Sequence, residues 1–387
     1  MLKAKKYNLV ETNLFGPGAI QFLPDEFKRR NYRRALIVTD PSLVKVGIVA
    51  KIEAILSQRK IMYTIFDQVC PNPTVPIVDQ GLAQCQSMNA DCIIAIGGGS
   101  PIDTSKAIGI LATNGGTVQS YMGVNKSQRP ALPIIAINTT AGTGSEVTTF
   151  YVITDDKTSS KMVAIDDNCT VRIAVNDPEL MLSMPKTLTV TTGMDALTHA
   201  IEAYVSINAN PLTDKDALWA IRTIHTYLPK AVECGEDIEA RTMMAHASYI
   251  AGIAFSNAGL GMVHAMAHSL GGFYNLPHGL CNAILLPYVM EYNGREKEVQ
   301  KRYKEVAAAL GVATTPWMMP YKATMDAIME VKKLSRRLGL NHRLSSLGVK
   351  ESDFESLATL ALSDTCMPTN PIQPSLQDII NVYKKAF

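Results

Sequence analysis

The 387-residue chain has almost no excess charge of either sign, since 37 Lys and Arg residues stand against 35 Asp and Glu residues, a formal net charge of +2. Charged residues make up 19% of the chain and hydrophobic residues 47%. The balance excludes a disordered chain and offers no basic field for nucleic acid. We therefore expect a folded globular protein that binds a small molecule and no nucleic acid, and its length predicts two or three domains.

The sequence also lacks the features of exported and membrane proteins. Its seven cysteines are odd in number and form no CxxC pair, which a secreted disulfide framework would rarely show. It contains no run of about 18 apolar residues and no signal-peptide pattern at its start. We expect a cytoplasmic protein that does not bind membranes.

The hydrophobic pattern of the sequence differs between the two halves of the chain. Up to about residue 180, short apolar runs such as 35–39 and 92–96 alternate with helical patterns, which predicts a parallel sheet covered by helices. Beyond that point, long segments of 3.6-residue period predict helices alone. We expect an α/β domain over residues 1–182, an all-α domain over residues 183–387 and an active site in the cleft between them.

A glycine-rich turn follows the apolar run at 92–96. Neither GxGxxG nor GxxxxGK[ST] occurs in the chain, but Gly97–Gly99 lead into a helical pattern, with Ser100 as the expected N-cap and Asp103 as a capping carboxylate. Such a turn exposes backbone N–H groups and a helix N-terminus to a phosphate. The alternative is a tight turn that needs a positive φ, which a single glycine usually satisfies.

Two further segments follow predicted strands in the same half. Asp40 could accept hydrogen bonds from a ribose diol and repel a 2′-phosphate, favouring NAD over NADP, or it could simply form the turn before Pro41. The loop 139–146 supplies hydroxyl groups and free backbone, although a Thr/Gly loop also fits ordinary turn chemistry.

Acidic and histidine side chains recur at helical spacing in the second half. Asp195 and His199 are four residues apart, as are His264 and His268, and His278 follows in a predicted loop. Residues four apart share one helix face, so these pairs predict a divalent-metal site. Ligands of this type suit Fe(II), Zn(II), Mn(II), Co(II) or Ni(II).

Longer strings carry a family resemblance over essentially the whole length. GGGSPID at 97–103, NTTAGTGSEVT at 138–148, GMDALTHAIEAY at 193–204 and GLGMVHAMAHSLGGFYNLPHG at 259–279 resemble the iron-dependent, or group III, alcohol dehydrogenases. Within that family the chain is most similar to 1,3-propanediol dehydrogenases, lactaldehyde reductases and NAD-dependent methanol dehydrogenases.

The resemblance implies roles for particular residues. It implies that the metal ligands are Asp195, His199, His264 and His278, with His268 close by but not a ligand, although spacing alone would make His268 the partner of His264. It also implies that the following residues surround NAD: Asp40, Asn72, Gly98, Gly99, Ser100, Asp103, Thr139, Thr140, Thr143, Ser145 and Lys161.

The function expected from this resemblance is reversible hydride transfer between NAD and short primary alcohols or diols, such as 1,3-propanediol, 1,2-propanediol, ethanol, butanol or methanol. Fe(II) is the expected metal, with Zn(II) or another divalent ion as the alternative, and His268, Asp195 and His264 are the candidate catalytic residues. The family also implies a homodimer or larger homo-oligomer. A hydrolase or lyase that uses a metal-bound hydroxide without nicotinamide is the alternative function.

Overall fold

The computed structural model describes residues 4–157 and 160–387. These form two compact units, one comprising Asn8–Ser183 and the other comprising residues 4–7 together with Met184–Phe387. The sequence predicts that residues 4–7 belong to the first domain. In the structure they belong to the second, where the Tyr7 hydroxyl donates a hydrogen bond to Asp216 at 2.6 Å.

The first unit contains two sheets. Their strands are β1 (Thr12–Phe15), β2 (Arg34–Val38), β3 (Met62–Phe66), β4 (Cys92–Gly97), β5 (Gly123–Val124), β6 (Ile134–Asn138), β7 (Phe150–Asp155), β8 (Ser160–Ile165) and β9 (Ile173–Asn176).

The larger sheet has the order β1-β9-β6-β4-β2-β3, and every neighbouring pair in it is parallel. Its central strands are mostly apolar because both faces are covered, and all six residues of β4 are buried. The smaller sheet has the order β5-β8-β7, in which β7 and β8 are antiparallel. The predicted parallel α/β unit is thus confirmed.

The helices of the first unit are α1 (Leu23–Arg30), α2 (Pro41–Lys45), α3 (Ile48–Gln58), α4 (Val75–Ser87) and α5 (Gly99–Asn114). Those of the second unit are α6 (Lys186–Val205), α7 (Pro211–Glu233), α8 (Ile238–Ala258), α9 (Met262–Tyr274), α10 (His278–Asn293), α11 (Lys297–Ala309), α12 (Pro320–Arg337), α13 (Phe354–Ser363) and α14 (Leu376–Ala386).

Helix α6 lies at the centre of the second unit, which is helical as expected. It packs against α7, α8 and α10, and α9 packs against α10 and α13. Fifteen of the twenty residues of α6 are buried, including the polar Asp195, His199 and Glu202. Polar groups survive such burial when partners compensate them, so this helix is where a site is to be sought.

Two local expectations differ from the structure. Helix α5 begins at Gly99 with Gly98 as its N-cap, so Ser100 is inside the first turn and is not the cap. His278, expected in a loop, is the first residue of α10.

Among the described residues, no single helix is both long and apolar enough to cross a membrane. Helices α8 and α9 meet the criterion only when taken as a pair, and the two are bent by 103°.

Candidate active site

The expected cofactor residues of the first unit follow neighbouring strands of the large sheet. The connection after β2 leads to β3 on one side, whereas the chain after β4 returns to the sheet as β6 on the other side, so the strand order reverses between β2 and β4. In open parallel sheets, ligands bind beyond the carboxyl ends of the strands at such a switch point. Asp40 follows β2, and the glycine turn follows β4, at this edge.

The glycines of the turn allow a second loop to approach. A Cβ atom on Gly98 would lie 2.8 Å from Oγ1 of Thr140, and one on Gly99 would lie 3.0 Å from Cγ2 of Thr143. Any larger residue would therefore push away the loop that follows β6, the neighbour of β4. Gly98, Gly99, Thr139, Thr140 and Thr143 are thus brought together at one edge of the sheet.

Asp103 does not cap α5 as expected. One carboxylate oxygen accepts a hydrogen bond from the Ser145 hydroxyl, and the other accepts one from the Val152 backbone N–H at 3.0 Å. Burial raises the pKa of this carboxyl, against the opposing effect of Lys106, Ser145 and Lys161. One oxygen therefore fastens the loop after β6 to α5, and the other fastens strand β7 to the same helix.

Lys106 is a buried ammonium group that the sequence analysis missed. Its Nζ donates to three backbone carbonyl oxygens, those of Ser145, Thr148 and Phe150, each at 2.7 Å. Burial lowers its pKa, and nearby groups including Asp103 and Glu146 oppose that effect. The ammonium group thus holds residues 145–150 in one conformation.

Asn72 and Lys161, the other expected cofactor residues, lie on different segments of the first unit. Asn72 has a positive φ of 55°, which Asn tolerates better than most residues. Lys161 lies on β8 opposite Thr154 of β7, and its positive charge reaches Asp103. Lys161 is therefore near Asp103, which bonds the loop after β6. Asn72 lies in a left-handed turn on another segment.

Asp40 serves as the N-cap of α2. Its Oδ1 accepts hydrogen bonds from the backbone N–H groups of Ser42 at 2.8 Å and Leu43 at 3.1 Å. The turn role considered above is therefore real. Both of these bonds are made by the same carboxylate oxygen.

Glu146 is a fully buried carboxyl group. Among the described residues, no donor makes a hydrogen bond of good geometry with either oxygen, although the side chains of Asn138 and Asn176 lie nearby. Burial raises its pKa to about 7, although Asn176, Lys106 and Asn138 favour the charged form. Folding therefore favours the protonated group near neutral pH.

Glu146→Gln is expected to change how stability depends on pH. Because the folded pKa lies above the unfolded value, the contribution of Glu146 to wild-type stability falls by roughly 3 kcal/mol as pH rises from about 4.5 to about 7. The melting temperature of the variant minus that of the wild type should therefore increase as pH rises across this range. Glu236→Gln, at an exposed position, is the control; parallel curves for Glu146→Gln and wild type would contradict the prediction.

The expected metal ligands of the second unit come together. Asp195 and His199 share one face of α6, and their ligand atoms and one of His264 on α9 all lie within 4.8 Å of one another. From Oδ1 of Asp195, Nε2 of His199 is 3.9 Å away, Nε2 of His264 is 3.6 Å and Nε2 of His278 is 3.5 Å. Three helices thus direct one carboxylate and three imidazoles at a common point.

The electrostatics of this cluster suit a cation. Burial would raise the pKa of Asp195, but His199, His278 and His264 outweigh it and hold the pKa well below its usual range. Burial would lower the pKa of His264, but Glu202 and Asp195 outweigh it and raise that pKa to about 9. A metal ion at His264 would therefore have to displace a proton, which makes its binding dependent on pH.

Asn282 and Glu202 are residues of the cluster that sequence reasoning missed. The Asn282 amide donates to Asp195 Oδ1 at 2.6 Å, and the same nitrogen lies 3.1 Å from Nε2 of both His264 and His278. When both imidazoles are neutral with their lone pairs on Nε2, the NH₂ group has two hydrogens for these three acceptors, so the lone pairs outnumber the donor hydrogens. A divalent cation suits this donor set. The signal was their helical spacing, since Glu202 follows His199 by three residues and Asn282 follows His278 by four.

His268 belongs to an adjacent group. Its Nδ1 is 2.9 Å from Asp364 Oδ2, and these two residues form a separate buried cluster with Cys366. The His268 ring stacks on His278 with centroids 5.1 Å apart. His268 is thus beside the expected ligands, but its Nδ1 is engaged with a carboxylate.

Family models match both halves of the chain. Residues 11–178 match the model described as iron-containing alcohol dehydrogenase, and residues 189–387 match the C-terminal model of the Fe-containing alcohol dehydrogenase family. The chain belongs to the iron-containing alcohol dehydrogenase family. The resemblance inferred from the motifs is confirmed.

Relatives within the family match along their full lengths. A lactaldehyde reductase of Escherichia coli K12 is 44% identical over 386 residues, covering 99% of this chain and 100% of that protein. A NAD-dependent methanol dehydrogenase of Bacillus methanolicus is 42% identical over 374 residues, covering 97% of each. The crystal structure of a 1,3-propanediol oxidoreductase superposes with a TM-score of 0.96 at 42% identity, covering 100% of both chains.

Family membership makes the chain an oxidoreductase of the alcohol dehydrogenase type. Nothing among these relatives supports the hydrolase or lyase alternative.

Proposed function

We propose that the protein is a metal-dependent, NAD-linked alcohol dehydrogenase and aldehyde reductase that interconverts short primary alcohols or diols with their aldehydes. The observation that carries this proposal is the convergence of Asp195, His199, His264 and His278 within a chain of this family. The names of the relatives point to lactaldehyde, 1,3-propanediol and methanol as the kind of substrate.

These four residues would hold the metal, with Fe(II) as the first choice and Zn(II) as the alternative. A divalent cation bound there would supply Lewis acidity that favours ionisation of the alcohol, and bound NAD would supply the hydride acceptor. Asp195 and His264 act by holding the cation in place. Asn282 donates a hydrogen bond to Asp195 and would orient that carboxylate.

His268 is the proposed proton acceptor. Its contact with Asp364 fixes the ring, and if Nδ1 carries the hydrogen, Nε2 is left as the basic atom. Burial would raise the pKa of Asp364, but His268 outweighs it and lowers that pKa. The ionised carboxylate therefore supports a positive charge on His268 when it takes a proton.

The cofactor proposal assigns the diphosphate to the turn around Gly98, Gly99 and Ser100, at the N-terminus of α5. The loop bearing Thr139, Thr140 and Thr143, fastened by Asp103 and Ser145, would border the nicotinamide nucleotide. Asp40 would face the adenosine ribose, and Asn72 and Lys161 would complete the surroundings.

The test is NADH formation, followed by absorbance, with metal-free protein reconstituted anaerobically with Fe(II) or with Zn(II). The panel of substrates is ethanol, 1,2-propanediol, 1,3-propanediol, butanol and methanol. We expect metal-dependent turnover, and the ranking of kcat/KM identifies the preferred alcohol. Full activity after complete metal removal, or no activity in either direction with any metal and with NAD or NADP, would contradict the proposal.

Asp40→Gly is expected to relax the discrimination against NADP. A carboxylate near the 2′-phosphate repels it, and removing one unit of charge should raise the NADP-to-NAD ratio of kcat/KM by at least about tenfold. Asp40→Asn is the matched control, because it removes the charge but keeps an N-cap for α2. It should relax the preference too; an unchanged ratio in both variants would show that another group reads the ribose.

We also propose a cytoplasmic homodimer or larger homo-oligomer. Buried thiols that form no disulfide, such as those of Cys92 and Cys169, suit a reducing compartment. Strand β1 is at an edge of the large sheet, and the Phe15 side chain there is 63% exposed, which favours self-association. Light scattering coupled to size-exclusion chromatography gives the number of subunits.

A further inference from the structure

Glu202 connects the helix that bears two expected ligands to the helix that bears a third. It follows Asp195 by seven residues and His199 by three, so all three side chains share one face of α6. Its side chain is 4% exposed. A carboxylate buried this deeply needs partners for both of its oxygens.

Both oxygens find their partners at the start of α9. Oε1 accepts a hydrogen bond from the Val263 backbone N–H at 2.7 Å, and Oε2 lies 2.5 Å from Nδ1 of His264. A Cβ atom on Gly261 would come within 2.9 Å of Oε1, so the glycine before the helix allows the carboxylate to approach. The contact therefore depends on α6, on the glycine before α9 and on the first turn of α9.

This contact determines which nitrogen of His264 is free. A carboxylate accepts hydrogen bonds and cannot donate them, so Nδ1 carries the hydrogen. The lone pair of neutral His264 then resides on Nε2, the atom that lies 3.6 Å from Asp195 Oδ1. The ring is thus held in the tautomer that a metal ion requires.

We propose that Glu202 is a positioning residue that fixes the orientation and tautomer of His264 for metal binding. This inference rests on the proposed function, because it takes the cluster to be a metal site. Glu202 does not contact the metal or the substrate in this role, and it acts through the imidazole alone.

The test measures the Zn(II) dissociation constant of the full-length protein by competition with a chelator. Glu202→Ala is expected to weaken binding by about 10- to 100-fold, as for other partners of ligating histidines. Glu202→Gln keeps one acceptor oxygen, which can serve the Nδ1–H while the amide NH₂ faces the Val263 N–H, so its loss should be smaller than that of Glu202→Ala. That partial rescue distinguishes orientation of the ring from general damage.

Asn370→Ala is the matched control. Asn370 Oδ1 accepts a hydrogen bond from the Met262 N–H at 3.1 Å, so this residue caps the same end of α9 without touching His264. The control should keep the metal affinity and the visible absorption spectrum of the Co(II)-loaded wild type, whereas Glu202→Ala should change both. Equal losses in the two variants, or wild-type affinity in Glu202→Ala, would overturn the inference. Failure of the wild type itself to bind Zn(II), Fe(II) or Co(II) would instead overturn the proposed function.

Discussion

His278→Ala is expected to lower kcat/KM for alcohol oxidation by about a thousandfold or more, with the fold preserved. Lewis-acid stabilisation is worth several kcal/mol, and each 1.36 kcal/mol corresponds to about a factor of ten in rate. His278 is better suited to this test than His264, because removal of His264 would leave the buried Glu202 carboxylate without one of its two partners. The measurements are kcat/KM and the metal content per chain.

His225→Ala is the matched control for this variant. The side chain of His225 is 24% exposed and that of His278 is 26% exposed, and each lies near a carboxylate. His225 is paired with Glu330 on α12, away from the ligand cluster. We expect turnover close to that of the wild type in the control. Comparable losses in the two variants, or full activity in His278→Ala, would count against His278 as a ligand.

Lys106→Met is expected to cost several kcal/mol of stability and to weaken NAD binding. Methionine fills a similar volume but removes the ammonium group that donates to the carbonyl groups of Ser145, Thr148 and Phe150, the first two of which are in buried contacts. Each unsatisfied buried carbonyl costs about 1–3 kcal/mol. The expected results are a lower urea midpoint and, where the variant still folds, a higher NAD dissociation constant.

Thr104→Val on the same helix is the control for Lys106→Met. Thr104 is fully buried, and its hydroxyl has no hydrogen-bond partner among the described residues. Its replacement should therefore leave stability unchanged or increased. If Lys106→Met had the urea midpoint and NAD affinity of the wild type, the proposed fastening of residues 145–150 would be wrong.

The parts of the fold that could be predicted have a regular pattern in the sequence. The strand at 92–96 is an uninterrupted apolar run between a turn and three glycines, and α11 and α12 each have a polar face and an apolar face. Helix α10 lacked such a signal. It is buried on most sides and contains Pro287, so its sequence has no 3.6-residue alternation to detect.

Within the site, spacing identified the pairs but not the partners across helices. Asp195 with His199 and His264 with His268 are visible as residues four apart. The contact between His268 and Asp364 joins residues 96 apart in the chain, and only the packing of the helical unit brings them together. For the same reason the role of Lys106, whose carbonyl partners follow it by 39 to 44 residues, was not predictable.

The uneven burial of the four expected ligands bears on how an ion enters and leaves. The side chains of His199, Asp195 and His264 are 5%, 3% and 1% exposed, whereas that of His278 is 26% exposed. Exchange of the ion should therefore begin with release of His278, the ligand at the first residue of α10, and should need no opening of α6 or α9. The lifetime of the bound ion would then be governed by local fraying of a single helix end, and metal content would follow the supply of metal after folding as well as during it.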